Sequence, residues 1–131
     1  MLVNNVGLLG EHPMPFLELD QDTVLNIITV NCTAATVLCH ALLPKMIENG
    51  KGAIINISSS GSMYPIPYLA VYAATKHYMT AFTQAIAAEY SDSGVTIQCI
   101  EPGVVSTKMT EYFDKVCLLL LLVFVCLITR K

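Results

Sequence analysis

Three short apolar runs alternate with two long segments of helical periodicity, and this alternation constrains the fold more than any other feature of the sequence. The runs are Leu2-Val3, residues 52–58 and residues 95–100. Apolar runs of this kind are typical of strands that are buried on both faces of a parallel sheet. The order β-α-β-α-β therefore predicts an α/β fold in which parallel strands with right-handed crossovers form part of a doubly wound sheet.

The two helical segments have recognisable ends. Asp20 is a predicted N-cap, and Asn49-Gly50 ends the first helix, which Pro44 is expected to kink unless it begins the last turn. The second helix is predicted over residues 69–90. Its many alanines would let another helix approach it closely. A third, short helix is predicted from Thr107 to Phe113.

Polar clusters follow each of the three predicted strands. They are Asn4-Asn5, Ser58-Ser59-Ser60 and Pro102-Gly103. Ligands of doubly wound sheets bind beyond the carboxyl ends of the strands. The topology therefore predicts the functional site before any motif is considered.

Composition excludes several classes of protein. The chain is 54% hydrophobic and 13% charged, which excludes a disordered chain. Its net charge of −3, without a basic stripe, argues against a nucleic-acid partner. The cysteines form no CxxC pair and no metal-ligand pattern with histidine, so we predict small buried residues in a reducing environment and no metal site. They are Cys32, Cys39, Cys99, Cys117 and Cys126.

The composition changes abruptly at Lys115, which we interpret as the boundary between a domain of residues 1–115 and a hydrophobic tail of residues 116–131. The run Val116–Ile128 contains no charge. A membrane-spanning helix needs about 17–25 apolar residues, so this run is short. A core strand, an interfacial anchor and an exposed apolar patch all remain open.

Tyr72 and Lys76 lie one helical turn apart, and therefore on one face of the second helix. A nearby cation lowers the pKa of a phenol, so we expect Lys76 to let Tyr72 exchange a proton with a carbonyl or alcohol oxygen. Ser59, just past the preceding strand, could hydrogen-bond to the same oxygen. The alternatives are a solvated Tyr–Lys pair and a serine that caps backbone amides.

Asn31 is a polar amide among apolar neighbours in the middle of the first helix. A buried amide needs hydrogen-bond partners. The residues alone leave two interpretations open, a purely structural amide and one that holds a water in a proton relay.

Several motifs resemble, in order and spacing, those of the short-chain dehydrogenase/reductase family over residues 2–113. They are Asn4-Asn5-Val6-Gly7, Val30-Asn31, Asn56-Ile57-Ser58-Ser59, Tyr72-Ala-Ala-Thr-Lys76 and Pro102-Gly103. The resemblance implies that Tyr72 is the acid/base and that Lys76 lowers its pKa and binds the nicotinamide ribose. It implies that Ser59 orients the substrate oxygen and that Asn31 holds the relay water.

The resemblance also implies NADP or NAD as the cofactor. The cofactor-binding residues it implies are Asn4, Gly7, Tyr72, Lys76, Pro102, Gly103 and Thr107. The sequence is most similar to the branch of hydroxysteroid dehydrogenases and very-long-chain 3-oxoacyl-CoA reductases. That branch implies a lipid-like ketone or alcohol as substrate and the endoplasmic reticulum membrane as location; a cytoplasmic location is the alternative.

The glycine-rich turn that opens the family's fold has no counterpart, because the seven glycines form no GxxxGxG motif. We therefore interpret the chain as a truncated, Rossmann-like catalytic portion without the first βαβ unit, and expect weak or no dinucleotide binding. Three hypotheses follow. The chain is an oxidoreductase impaired by this loss, a non-catalytic protein that forms homo- or hetero-oligomers through helices 21–49 and 69–90, or a membrane-associated module.

Overall fold

The computed structural model describes residues 1–103. Within that range three strands form one sheet in the order β1-β2-β3, and both neighbouring pairs are parallel. The strands are β1 (Leu2–Asn4), β2 (Gly52–Ile57) and β3 (Val95–Ile100). The predicted α/β architecture with parallel strands is confirmed, and the described part of the chain is a Rossmann-like fragment.

Helices connect the strands. They are α1 (Gln21–Ile28), α2 (Ala34–Glu48) and α3 (Ala70–Glu89), with short 3-10 helices at Phe16–Glu18 and Ser60–Ser62. The prediction of Asp20 as N-cap is confirmed, because its side chain accepts a hydrogen bond from the Thr23 N–H at 2.8 Å. Pro44 lies inside α2, close to its end.

The first helix differs from the sequence prediction in one respect. A π-helical turn at Thr29–Thr33 joins α1 to α2. This widened turn inserts one extra residue into the helical repeat, and such bulges occur frequently at functional sites. Asn31 lies at its centre and is buried.

The core lies between the sheet and the helices that cover it. Its buried residues are Cys39, Leu43, Ile54, Val95 and Ile97. Burying a side chain of this size stabilises a fold by about 1.5–3 kcal/mol relative to leaving it exposed. The strands of this core end in the loops that carry the candidate site.

The prediction that the cysteines are buried is confirmed for the described part of the chain, where Cys32, Cys39 and Cys99 are free and buried. Cys117 and Cys126 lie outside the described residues, as do the predicted helix from Thr107 to Phe113 and the run Val116–Ile128. The helix Gln21–Glu48 is long and apolar enough to cross a membrane, but core helices of soluble proteins meet the same criterion.

Candidate active site

Ser59 and Tyr72 meet where β2 ends and α3 begins. Ser59 has extended backbone geometry, and its Oγ accepts a hydrogen bond from the Gly61 N–H at 3.1 Å, which caps the short helix Ser60–Ser62. Tyr72 lies in the first turn of α3, and the Ser59 hydroxyl is close enough to it to exert a lowering effect on the pKa of Tyr72. Ser59 therefore caps the short helix, as one sequence interpretation predicted, and also lies beside Tyr72.

Lys76 lies one turn further along α3, with only 6% of its surface exposed. Its Nζ donates a hydrogen bond to the Ile57 carbonyl oxygen at 3.0 Å and lies 5.7 Å from the centroid of the Tyr72 ring. Within residues 1–103 its other two N–H donors make no hydrogen bond that the structure records, so they are available to a bound group. A solvated Tyr–Lys surface pair is excluded.

Burial raises the pKa of Tyr72 in the described chain, because desolvation disfavours the phenolate, and the neighbouring Ser59 hydroxyl opposes this rise without reversing it. Lys76 Nζ is bound to a backbone carbonyl and lies 5.7 Å from the centroid of the Tyr72 ring. A lowering of the Tyr72 pKa by Lys76 stays a prediction.

Burial also lowers the pKa of Lys76 below its ordinary value of 10.5. Between the two pKa values the unfolded chain binds more protons than the folded chain, so the free energy of unfolding rises with pH in that range. Below the folded-state pKa the buried ammonium of Lys76 lowers the free energy of unfolding, and this loss is relieved as the pH rises.

The side-chain amide of Asn31 both accepts and donates hydrogen bonds. Its Oδ1 accepts a hydrogen bond from the Leu8 N–H at 2.7 Å, and its Nδ2 donates to the Leu8 carbonyl oxygen at 2.8 Å and to Thr75 Oγ1 at 3.0 Å. Both N–H donors are therefore occupied. A water at this side chain could be held only by the remaining lone pair of Oδ1.

Gly7 packs directly against this site. A Cβ at this position would lie 3.3 Å from Lys76 Nζ and 3.6 Å from Asn31 Oδ1. The absence of a side chain therefore lets the Gly7 backbone approach both polar atoms closely, and a larger residue would crowd Lys76 Nζ.

The other predicted residues lie at neighbouring strand ends. Asn4 Nδ2 donates to Asn56 Oδ1 at 2.8 Å across β1 and β2, so Asn4 supports the sheet and its contact with a cofactor stays a prediction. The Pro102 carbonyl oxygen accepts from the Ser60 N–H at 2.8 Å, which holds the chain up to Gly103 beside the Ser59 turn. Thr107 lies outside the described residues.

The sequence analysis missed several residues that hold this site together. Thr75 accepts from Asn31, and Ser58 Oγ donates to the Lys76 carbonyl oxygen at 2.8 Å. Both belong to motifs quoted above. Spacing alone does not show whether a hydroxyl residue next to a predicted site residue takes part in the site. Ser58 could have been noticed only as a polar residue at the end of an apolar strand.

The loop after Ser59 forms one wall of an apolar groove of about 620 Å³. The opposite wall is the first part of α3. The lining residues are Gly61, Ser62, Met63, Tyr64, Pro65, Ile66, Pro67, Ala70, Ala73, Ala74 and His77. The sequence analysis did not identify this groove, because residues 61–67 have no helical or strand periodicity.

Comparison with known proteins agrees with this geometry. The sequence model for "short chain dehydrogenase" matches residues 1–116. The chain is 42% identical over 113 residues to the very-long-chain 3-oxoacyl-CoA reductase of Bos taurus, covering 85% of this chain and 36% of that protein. It is 42% identical over 110 residues to the inactive hydroxysteroid dehydrogenase-like protein 1 of Homo sapiens, covering 84% of this chain and 33% of that protein.

Solved structures show the same fold. A short-chain dehydrogenase from Sphingobium yanoikuyae in complex with NADPH superimposes with a TM-score of 0.78 at 31% identity, covering 82% of this chain and 41% of that one. A 3-ketoacyl-(acyl-carrier-protein) reductase from Brucella melitensis complexed with NADH gives 0.77 at 29% identity, covering 82% and 46%. The chain thus spans about a third of the two curated relatives and under half of these two solved chains. The match of the family's sequence model to most of the chain, together with these similarities, establishes that this protein belongs to the short-chain dehydrogenase family.

Proposed function

We propose that this chain carries the catalytic side chains of an NAD(P)-dependent oxidoreductase that interconverts a ketone and a secondary alcohol on a lipid-like substrate. The observation that carries the proposal is the grouping of Tyr72 with buried Lys76, whose Nζ lies 5.7 Å from the centroid of the Tyr72 ring, and with Ser59, whose hydroxyl lies close enough to influence the pKa of Tyr72. A carbonyl oxygen placed between the two hydroxyls would accept from both, as a reacting oxygen requires. In this role Tyr72 moves the proton and Ser59 orients the substrate.

The raised pKa of Tyr72 keeps the phenol protonated, the form that can donate a proton to a carbonyl in ketone reduction, but it also makes the phenol a weaker acid. A bound cofactor would change this balance, because its positively charged oxidised nicotinamide ring favours a nearby phenolate. We therefore assign to Tyr72 the general acid in reduction and the general base in oxidation. Asn31 would hold a relay water through the free lone pair of its Oδ1.

A nicotinamide dinucleotide fits part of the described site. Lys76 would hold the ribose hydroxyls with its two available N–H donors, and the lack of a side chain at Gly7 avoids crowding Lys76 Nζ. When bound, the cofactor supplies the hydride. The described residues contain no glycine-rich turn for the pyrophosphate, so we expect the chain to bind NADPH poorly on its own.

The lipid-like substrate class is supported by the apolar groove beside Ser62. Its wall residues include Met63, Tyr64 and Ile66, which would contact an acyl chain or steroid skeleton without hydrogen bonding to it. The resemblance to a very-long-chain 3-oxoacyl-CoA reductase supports the same class. The endoplasmic reticulum membrane is the location that this proposal includes, and extraction of cell membranes with carbonate tests whether association is stable.

The test compares this chain with a fusion that adds the residues preceding the matched segment in the bovine relative. NADPH-dependent reduction of a 3-oxoacyl-CoA is expected for the fusion and not for the chain alone. Within the fusion, Tyr72→Phe is expected to lower kcat at least about 100-fold, the lower range for loss of a general acid. Tyr78→Phe is the matched control, since within residues 1–103 the Tyr78 hydroxyl is hydrogen-bonded to Thr36 on α2 and to no other side chain. Equal activity of both variants would refute the role of Tyr72.

A second candidate function is association with a full-length dehydrogenase. One relative is named as inactive, and an apolar groove of about 440 Å³ lies between α1 and α3. Phe16, Ile28 and Tyr78 line this groove and are exposed. Co-purification with the full-length relative, abolished by Ile28→Asp but not by a substitution of exposed Asn26, would support this function. No association at micromolar concentration would exclude it.

A further inference from the structure

Glu101 is a buried carboxyl group that the proposed reaction does not use. It directly follows β3, and only 4% of its surface is exposed. One oxygen, Oε1, accepts a hydrogen bond from Ser62 Oγ at 3.1 Å and another from Thr80 Oγ1 at 2.6 Å. A buried acidic side chain is rare unless its partners require it.

The two partners of Glu101 belong to the two elements that carry the site. Ser62 lies on the short helix that Ser59 caps, three residues after Ser59. Thr80 lies on α3, two turns beyond Tyr72 and one turn beyond Lys76. Because a single oxygen atom holds both hydroxyls, the Ser59 turn and helix α3 cannot separate without breaking one of these bonds.

We propose that Glu101 is a positioning residue that holds the Ser59 turn beside helix α3, and so keeps the Ser59 hydroxyl near the Tyr72 hydroxyl. The proposal rests on the proposed roles of Ser59 and Tyr72. Glu101 touches neither residue and acts through Ser62 and Thr80. Hydrogen bonds to a carboxylate are shorter and about twice as strong as neutral ones, which suits a tie between a loop and a helix.

Other contacts keep the fold when Glu101 is replaced. The Ser58 N–H donates to the Ile100 carbonyl oxygen at 2.8 Å, and the Ser60 N–H donates to the Pro102 carbonyl oxygen at 2.8 Å. These bonds tie the loop to β3 and the residues after it. Three further contacts join this region to α3: His77 Nδ1 lies 2.8 Å from the Ser62 carbonyl oxygen, Ser58 Oγ donates to the Lys76 carbonyl oxygen at 2.8 Å, and Thr80 Oγ1 lies 2.8 Å from Ser58 Oγ. Loss of Glu101 should therefore loosen the position of Ser59 without unfolding the chain.

The test measures the Tyr72 hydroxyl directly and needs neither cofactor nor activity. The chain is labelled with tyrosine carrying ¹³C at the ζ carbon, whose chemical shift reports the hydrogen bonding of the phenol. The chain has six tyrosines, and Tyr72→Phe identifies the relevant signal. Ser59→Ala then gives the reference shift for loss of the Ser59 hydroxyl beside Tyr72.

We expect Glu101→Ala to move the Tyr72 signal in the direction set by Ser59→Ala, by about half of that change or more. Glu101→Gln, which keeps an acceptor oxygen, should restore most of the original shift. In the Ser59→Ala background, Glu101→Ala should add nothing, which is the coupling expected of residues that act through each other. The matched control is Glu89→Ala, which replaces an exposed glutamate at the end of α3.

A Tyr72 signal that stays in place in folded Glu101→Ala would overturn the proposal. If Glu101→Ala does not fold, Ser62→Ala removes the loop side of the same tie and decides the question by the same criterion. The outcome is separable from that of the proposed function. A Tyr72 signal that moves while Tyr72→Phe leaves the fusion active would support the tie and reject the catalytic role.

Discussion

Replacement of Asn31 is the perturbation whose magnitude follows most directly from the structure. Asn31→Ala removes three hydrogen bonds, two to the backbone of Leu8 and one to Thr75. Each typical hydrogen bond contributes about 1 kcal/mol net, and a buried group left without its partner costs about 1–3 kcal/mol. Water reaches Leu8, which is 41% exposed, and so limits the cost there. We expect a loss of about 2–4 kcal/mol in the free energy of unfolding.

The assay is urea unfolding followed by circular dichroism, with the free energy taken from linear extrapolation. Asn26→Ala is the matched control, because Asn26 is exposed on α1 within the same continuous helix. The control is expected to change stability by less than about 0.5 kcal/mol. If Asn31→Ala costs no more than Asn26→Ala, the three hydrogen bonds do not hold the Leu8 segment to the helix, and the structural account of Asn31 is refuted.

Three further substitutions test the strained and buried positions. Lys76→Met should stabilise the chain at pH 7 because it removes a buried charge, and the gain measured by urea unfolding should shrink as the pH approaches 10.5; a constant gain would contradict this. Tyr68 has φ = 68°, a left-handed geometry that costs about 1–2 kcal/mol, so Tyr68→Asn should raise the melting temperature and Tyr68→Val should lower it. Gly94 has φ = +75°, and a Cβ there would lie 2.3 Å from the Gly50 carbonyl oxygen, so Gly94→Ala should cost at least about 2 kcal/mol by the same unfolding assay.

Much of the fold could be predicted because local patterns and tertiary packing agree. The strand at residues 95–100 and the helix N-cap at Asp20 have the predicted positions, since alternating burial and a capping carboxylate are local properties. The π-helical turn at Thr29–Thr33 could not be predicted in this way. Its extra residue points the Asn31 side chain in a direction that a regular α-helix would not. No local sequence pattern distinguishes a π-helical turn from a regular α-helical one.

The candidate site, like the fold, was predictable from the sequence only in part. The spacing of Tyr72 and Lys76 determines that they share a helix face, because helical geometry alone sets this. Spacing does not determine how deeply that face is buried. Burial decides the direction of both pKa shifts, and it raises the pKa of Tyr72 where the sequence analysis expected a neighbouring cation to lower it.

The sequence by itself determined the order of the elements, the parallel sheet and the identity of the polar residues at the strand ends. These depend on periodicity and residue type, which are properties of neighbouring positions. Only the tertiary structure decided that Ser59 meets Tyr72, that Lys76 binds the Ile57 carbonyl oxygen and that Glu101 joins Ser62 to Thr80. Such contacts join distant segments, and their geometry is set by how the sheet and helices pack together.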